Sequence, residues 1–364
     1  MPSKDVLNHI KSPEDLKKLS YGELEDLCSE IREKLINIVS KNGGHLASNL
    51  GVVELTVALH KVFNTPKDSI VWDVGHQSYA HKMLTDRLAQ IDTIRQDGGL
   101  SGFPKRSESK YDAFNSGHSS TSISAAYGIA RAKMLNNDNS YTLAVIGDGA
   151  FTGGLAYEGI NNAGRFNKNF IVILNDNEMS ISKNVGSVAK YLTSMRIRPS
   201  YLNTKESVDK LLMHTPVVGK PLRKALVESK ASLRNLVYRN TLFEHLGFIY
   251  FGPVDGHNLH EVINALKAVK KIEAPVLVHL VTTKGKGYQF AENNPRAFHG
   301  ISAFDIDTGE PLTSKPDFSK IFGTELCKIA ETNKSVCAIT AAMTFGTGLY
   351  EFSRKYRERF FDVG

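Results

Sequence analysis

A chain of 364 residues, 41% hydrophobic and 23% charged, has an ordinary globular composition, which excludes a collagen-like, low-complexity or wholly disordered protein. The formal net charge of +7 is local: residues 181–240 hold twelve Lys/Arg against three Asp/Glu, so that segment carries +9 and the remainder −2. No apolar run approaches the ~18 residues of a membrane span, MPSKDVLNHIKSPEDLKK has no apolar signal core, and Cys28, Cys327 and Cys337 are too scattered for a disulfide framework or zinc site; a cytoplasmic protein is expected.

Helix signals come first. Ser12-Pro13-Glu14-Asp15 puts a cap before a proline at the first helical position, and Ser20 with Glu23 forms a capping box ahead of Leu24, Leu27, Ile31, Leu35 and Ile38 at helical spacing. Val52 to Phe63 is another predicted buried helix. Short apolar runs then alternate with helical patterns. Strands are expected at Ser69–Trp72, Tyr141–Ile146, Phe170–Leu174 and Val276–Val281; helices at Ser122–Leu135, Gly153–Ala163 and 258–270. Continuous apolar strands separated by helices imply a doubly wound α/β fold, a parallel sheet covered on both faces. Residues 1–304 form this domain, with 181–240 as a basic insertion. Two prolines and a glycine mark 305–318 as a linker. A helix at 319–331, a strand at Val336–Thr340 and a helix near 348–359 open a second similar domain with too little chain to bury a core of its own. No internal repeat is visible.

The most informative motif is Gly147-Asp148-Gly149-Ala150 after one predicted strand, followed by Asn175-Asp176-Asn177-Glu178-Met179 after the next. One helix and one strand fill the gap, so both motifs emerge at the carboxyl edge of a single crossover, where open parallel sheets bind ligands. A carboxylate and an amide oxygen there suit Mg2+ that keeps positions for phosphate and water. The glycines permit close backbone approach, and the following helix start presents N–H groups. Either motif alone is an ordinary turn or polar loop; the pair at this spacing points to a ligand.

That pair resembles the thiamine-diphosphate motif. Further stretches, Gly43-Gly44-His45-Leu46-Ala47-Ser48-Asn49-Leu50-Gly51, Asp73-Val74-Gly75-His76-Gln77, Ser101-Gly102-Phe103-Pro104-Lys105, Ser116-Gly117-His118-Ser119, Thr283-Lys284-Gly285-Lys286-Gly287-Tyr288 and Phe298-His299, make the chain resemble the 1-deoxy-D-xylulose-5-phosphate synthases, within the wider transketolase group. The resemblance runs from about residue 10 to the end of the chain. It implies thiamine diphosphate and Mg2+ as cofactors, with Asp148, Asn177 and the Met179 carbonyl on the metal. His76, Gly117, His118, Ser119, Gly149, Ala150, Asn177, Lys284 and Tyr288 bind the cofactor. His45, His76 and His299 face the reacting groups as proton donors or polarising groups. A buried packing role for Tyr288 stays open beside the cofactor role.

The implied reaction joins pyruvate to D-glyceraldehyde 3-phosphate with loss of carbon dioxide, a step of isoprenoid, thiamine and pyridoxal synthesis, in a homodimer without nucleic-acid or membrane partners. The family's pyrimidine-contacting glutamate follows a stretch like Phe361-Asp362-Val363-Gly364, so a chain inactive without further segments is expected. His81, His214, His257, His279, Trp72 and the cysteines read as structural. Two other readings compete: the amino-terminal subunit of a split transketolase, and a binding module using the basic 181–240 segment.

Overall fold

The computed structural model describes residues 5–177, 187–196, 241–312 and 318–364; Met179, His214 and most of the basic 181–240 segment lie outside the described residues. Ser20 opens the helix Tyr21–Asn42: its Oγ accepts the Glu23 N–H at 3.4 Å, while the Glu23 carboxylate accepts the Ser20 N–H at 2.8 Å. Strands β1 (Ser69–Trp72), β2 (Thr142–Gly147), β3 (Phe170–Asp176), β4 (Ile249–Asp255) and β5 (Val276–Val281) form one parallel sheet in the order β1-β2-β3-β5-β4.

Alternate strand residues point to opposite faces. Trp72, Leu143, Val145, Ile171 and Ile173 pack in one cluster with the helices Tyr21–Asn42, Val53–Val62 and Leu259–Val269. Val71, Ala144, Ile146, Val172 and Leu174 pack in another with Ser122–Leu135 and Gly154–Ala163. The small residues Ala126, Ala130, Ala156 and Ala163 let those two helices seat closely. The sheet is thus covered on both sides, the doubly wound arrangement its unbroken apolar strands imply.

The sequence reading omitted β4. Among the described residues it sits at the sheet edge and pairs only with β5, its register shifts between Phe251 and Val254, and Gly252-Pro253 fall in that irregularity. Proline is tolerated at an edge or bulge, and there it hides a strand from pattern reading.

The segment 318–364 adds the helices Phe318–Thr332 and Tyr350–Lys355, with β6 (Ala338–Thr340) parallel to β7 (Phe360–Asp362). Cys327, Ala330, Ala338, Leu349 and Phe352 make a small buried cluster, while Phe318, Ile321, Phe322, Ile329, Ile339 and Phe361 stay exposed. The expected second helix is shorter than 348–359 because the chain turns at Tyr356 and enters β7. Among the described residues no helix is long and apolar enough to cross a membrane.

Candidate active site

Register fixes the carboxyl edge. Trp72 pairs with Val145, Gly147 with Asn175 and Asp176 with Val281, so the segments after β1, β2, β3 and β5 leave the sheet side by side. Asp148 lies just past β2, 1% exposed, and its Oδ1 accepts the Asn177 N–H at 3.4 Å. The two motifs of the sequence reading therefore meet. Asn175 and Asp176 serve the scaffold: Asn175 Oδ1 accepts the Thr282 hydroxyl at 2.8 Å, and Asp176 Oδ2 lies 2.9 Å from His279 Nε2. After β5 comes Lys284, also buried. Burial pulls its ammonium down to about 8, while the Asp148 carboxylate pulls the other way.

Asp73, past β1, holds the loop before the next helix. Its carboxylate accepts the Ser120 N–H at 2.8 Å and the Ser122 N–H at 3.0 Å, and Ser120 Oγ donates to the Ala150 carbonyl at 2.7 Å. The Gly117-His118-Ser119 loop and the short helix Asp148–Phe151 that carries Gly149 and Ala150 are thus tied to each other. Gly117, His118 and Ser119 are exposed. A Cβ placed on Gly117 or Gly147 would meet no protein atom within 4 Å, so both glycines border open space.

Three histidines from distant segments converge. Ring centroids stand 5.2 Å apart for His45 and His76, 5.5 Å for His45 and His299, and 5.1 Å for His76 and His299. Phe103 stands edge-on to His45 at 5.9 Å. Burial, aided by Arg95 and Lys284, lowers His45 to about 4. Burial, with Lys284 and His45, lowers His299 to about 3. His76 is driven far below its ordinary value by burial first, then by His299, His45 and Lys284. All three are neutral imidazoles near pH 7. His299 Nδ1 lies 3.2 Å from Ser48 Oγ, but Nδ1 of His45 and of His76 is buried with no hydrogen-bond partner among the described residues.

Sequence reasoning missed the residue that fastens this triangle. Asn49, fully buried, donates from Nδ2 to the carbonyls of His45 (2.6 Å) and His76 (2.8 Å), and accepts the Tyr79 N–H at 2.8 Å. An asparagine inside the apolar stretch Leu46–Leu55 was the available signal, since a buried amide needs partners. Tyr288 joins Phe290, Phe298 and Phe304 in an aromatic cluster, and its hydroxyl donates to the Ile306 carbonyl at 2.8 Å. That is the packing role left open beside the cofactor role; it supports His299 through its neighbour Phe298. His81, His257 and His279 are hydrogen-bonded to the carboxylates of Asp112, Glu54 and Asp176, and Trp72 is buried. Cys28 and Cys327 pack as expected, whereas Cys337 is exposed: its position just ahead of the short β6 leaves it uncovered.

The residues present fit a diphosphate with a hard divalent cation. A buried carboxylate, a neighbouring asparagine, a buried lysine and glycines facing open space share one sheet edge. Among the described residues no three His, Cys, Asp or Glu side chains gather as a metal cluster, so a cation here relies on Asp148 with neutral oxygens.

A family model described as 1-deoxy-D-xylulose-5-phosphate synthase matches residues 7–282. The chain is 53% identical over 361 residues to a 1-deoxy-D-xylulose-5-phosphate synthase of Syntrophomonas wolfei, covering 99% of this chain and 57% of that protein. It is 54% identical over 362 residues to one of Natranaerobius thermophilus, again covering 99% and 57%. It therefore spans somewhat over half the length of these curated relatives. Transketolases share the fold: one from Leishmania mexicana at TM-score 0.54 and 17% identity covers 92% of this chain and 48% of its own, and one from Campylobacter jejuni at 0.55 and 21% covers 78% and 41%.

Proposed function

The chain belongs to the 1-deoxy-D-xylulose-5-phosphate synthase family, and on that premise we propose that it binds thiamine diphosphate with Mg2+ at the carboxyl edge of its sheet and serves the decarboxylative condensation of pyruvate with D-glyceraldehyde 3-phosphate. Thiamine diphosphate, when bound, supplies a nucleophilic carbon and a sink for the charge left by decarboxylation. Asp148 and Asn177 would hold the cation; Met179, the third ligand of the reading, lies outside the described residues. Lys284 brings positive charge toward the phosphate end, and the Gly117–Ser119 loop with Gly149 and Ala150 of the short helix Asp148–Phe151 offers backbone N–H groups.

Neutral His45, His76 and His299 each carry one proton and one lone pair, so each can give or take a proton. The unpartnered Nδ1 atoms of His45 and His76 are where a ligand supplies the missing hydrogen bond. Ser48 engages His299 at Nδ1 and leaves Nε2 for proton exchange. Phe103 covers His45 and helps exclude water. A cytoplasmic homodimer completes the reading.

The observation that carries it is the meeting of Asp148 with Asn177 at one sheet edge, with buried Lys284 close enough for Asp148 to perturb its titration. Calorimetry tests it. Thiamine diphosphate should bind in the presence of Mg2+, lose affinity on chelation, and fail to bind Asp148→Ala; Mg2+-independent binding that survives Asp148→Ala overturns the metal assignment. Substrate class is read by calorimetry on the chain loaded with Mg2+–thiamine diphosphate, offering pyruvate against xylulose 5-phosphate. Binding of xylulose 5-phosphate and not pyruvate would make the chain transketolase-like.

A further inference from the structure

We infer that Glu54 is a positioning residue which, through His257 and Arg32, sets the backbone of the Lys284 loop at the phosphate end of the site; the ligand side of this inference rests on the proposed function.

Glu54 lies in the first turn of the helix Val53–Val62 and is 7% exposed. One carboxylate oxygen is bound by the Arg32 guanidinium and the other lies 3.1 Å from His257 Nδ1. Burial alone would raise its pKa, but His257 and Arg32 outweigh that and hold it below the ordinary value, so it is ionised at neutral pH. Both partners reach past Glu54 to the loop after β5. His257 Nε2 lies 2.7 Å from the Thr283 nitrogen, and Arg32 Nε donates to the Lys286 carbonyl at 3.2 Å. The loop between them is further tied by Gly285 N–H to the Ala47 carbonyl at 2.9 Å. Lys284 is therefore bracketed on both sides by groups that answer to one carboxylate.

The proton on His257 has a determined place. The Thr283 N–H can only donate, so Nε2 must be the lone-pair nitrogen and Nδ1 must carry the hydrogen. An ionised Glu54 can only accept, which enforces that tautomer. A glutamine at position 54 must present either an oxygen or an NH2 to each partner. If NH2 faces His257, the ring proton is pushed to Nε2, against the Thr283 N–H. If NH2 faces Arg32, two donors confront each other. Glu54→Gln therefore disturbs the loop although it conserves size.

The test compares Glu54→Gln, His257→Ala and His257→Gln with the unaltered chain. It reads amide hydrogen exchange at Thr283, the thermal midpoint, and calorimetric affinity for Mg2+–thiamine diphosphate and for thiamine. In Glu54→Gln and His257→Ala, Thr283 exchange should quicken about tenfold. Affinity for thiamine diphosphate should fall on the order of tenfold or more, with thiamine affinity changed less than about twofold. His257→Gln, whose amide oxygen can accept from Thr283, should recover most of both effects. Unchanged Thr283 exchange in Glu54→Gln overturns the inference. So does equal weakening of both ligands in step with a falling midpoint, which marks a scaffold role only. If the unaltered chain binds no thiamine diphosphate, the functional reading fails and Thr283 exchange alone decides whether Glu54 sets the loop.

Discussion

Two groups of histidines lie within the same domain and differ in two respects: His60 and His81 are fully buried with every ring nitrogen engaged, whereas His45, His76 and His299 are half-buried and, among the described residues, partly unengaged. His60 and His81 belong to a completed chain. Asp112, an acceptor, lies 2.9 Å from His81 Nε2, so that nitrogen carries the proton. His81 Nδ1 must then accept from His60 Nε2, at 2.9 Å, and His60 Nδ1 from the Thr65 hydroxyl at 3.1 Å. Arg87 closes the end with bonds of 2.6 and 3.0 Å to Asp112. Both imidazoles are lowered, chiefly by burial, and stay neutral. Asp112 would be raised by burial, but the hydrogen bonds of His81 and Arg87 hold it well below the usual carboxylate range. In the second group, His45 and His76 keep Nδ1 atoms without partners among the described residues. A satisfied network makes a scaffold rigid; an unsatisfied one stores a recognition capacity at a cost in stability.

The contrast breaks most visibly at Asp112. Asp112→Ala leaves Arg87 buried without its carboxylate and removes the acceptor of the Lys105 N–H at 2.8 Å, so a loss of about 3–5 kcal/mol is expected in urea denaturation. A loss under about 1 kcal/mol would show that the network contributes little. Asn49 joins the scaffold to the site. Asn49→Ala strips both histidine carbonyls and the Tyr79 N–H of a partner, and should cost about 1–3 kcal/mol. Thiamine diphosphate affinity should fall as well, because the two rings lose their common fastening.

This division was only half legible in the sequence. Strands Ser69–Trp72 and Val276–Val281 were plain as apolar runs, and β2 and β3 differ from expectation by one or two residues. Gly147-Asp148 and Asn175-Asp176-Asn177 announced themselves because a turn with that chemistry must follow a strand. Pairing across the fold stayed hidden. Nothing in local pattern says that His299 meets His45, or that Asp112 meets His81, since both are fixed by tertiary packing. Asn49 went unread because local pattern does not say which distant carbonyls its amide meets, and β4 because of its Gly-Pro.

Acid acts on both groups, since burial lowers His60 and His81 as it lowers His45, His76 and His299. An unfolded imidazole takes up its proton near 6.5, whereas His45 does so only near 4 and His299 near 3 in the folded chain. Between those limits the unfolded state binds more protons, so stability falls as pH drops from 6.5 toward 4, by at most about 1.4 kcal/mol per pH unit for each imidazole. Asp112 acts below this window: its folded value is depressed, so its contribution is present above the ordinary carboxylate pKa and is lost as pH falls further. His299→Leu should flatten the slope of stability against pH between 6.5 and 4 and leave the steeper acid limb. A slope identical to that of the unaltered chain would show that His299 titrates normally.

The smallest stability change expected is the most telling. His76 is half-buried, its buried Nδ1 has no partner among the described residues, and its backbone carbonyl is held by Asn49 whatever the side chain. Leucine has a similar apolar bulk and brings no polar atom to bury. His76→Leu therefore removes an unpaired polar group without opening a large cavity, and stability should stay within about 0.5 kcal/mol of the unaltered chain or rise. Had His76 been a core residue of the His81 kind, the same change would cost several times more. Thiamine diphosphate affinity should meanwhile fall about tenfold, or 1.4 kcal/mol, because the ligand loses the partner that the protein itself does not supply. Chemical denaturation and calorimetry on one preparation read both quantities. Stability lost with affinity retained would move His76 from the site into the scaffold, and the difference between the two histidine groups would vanish.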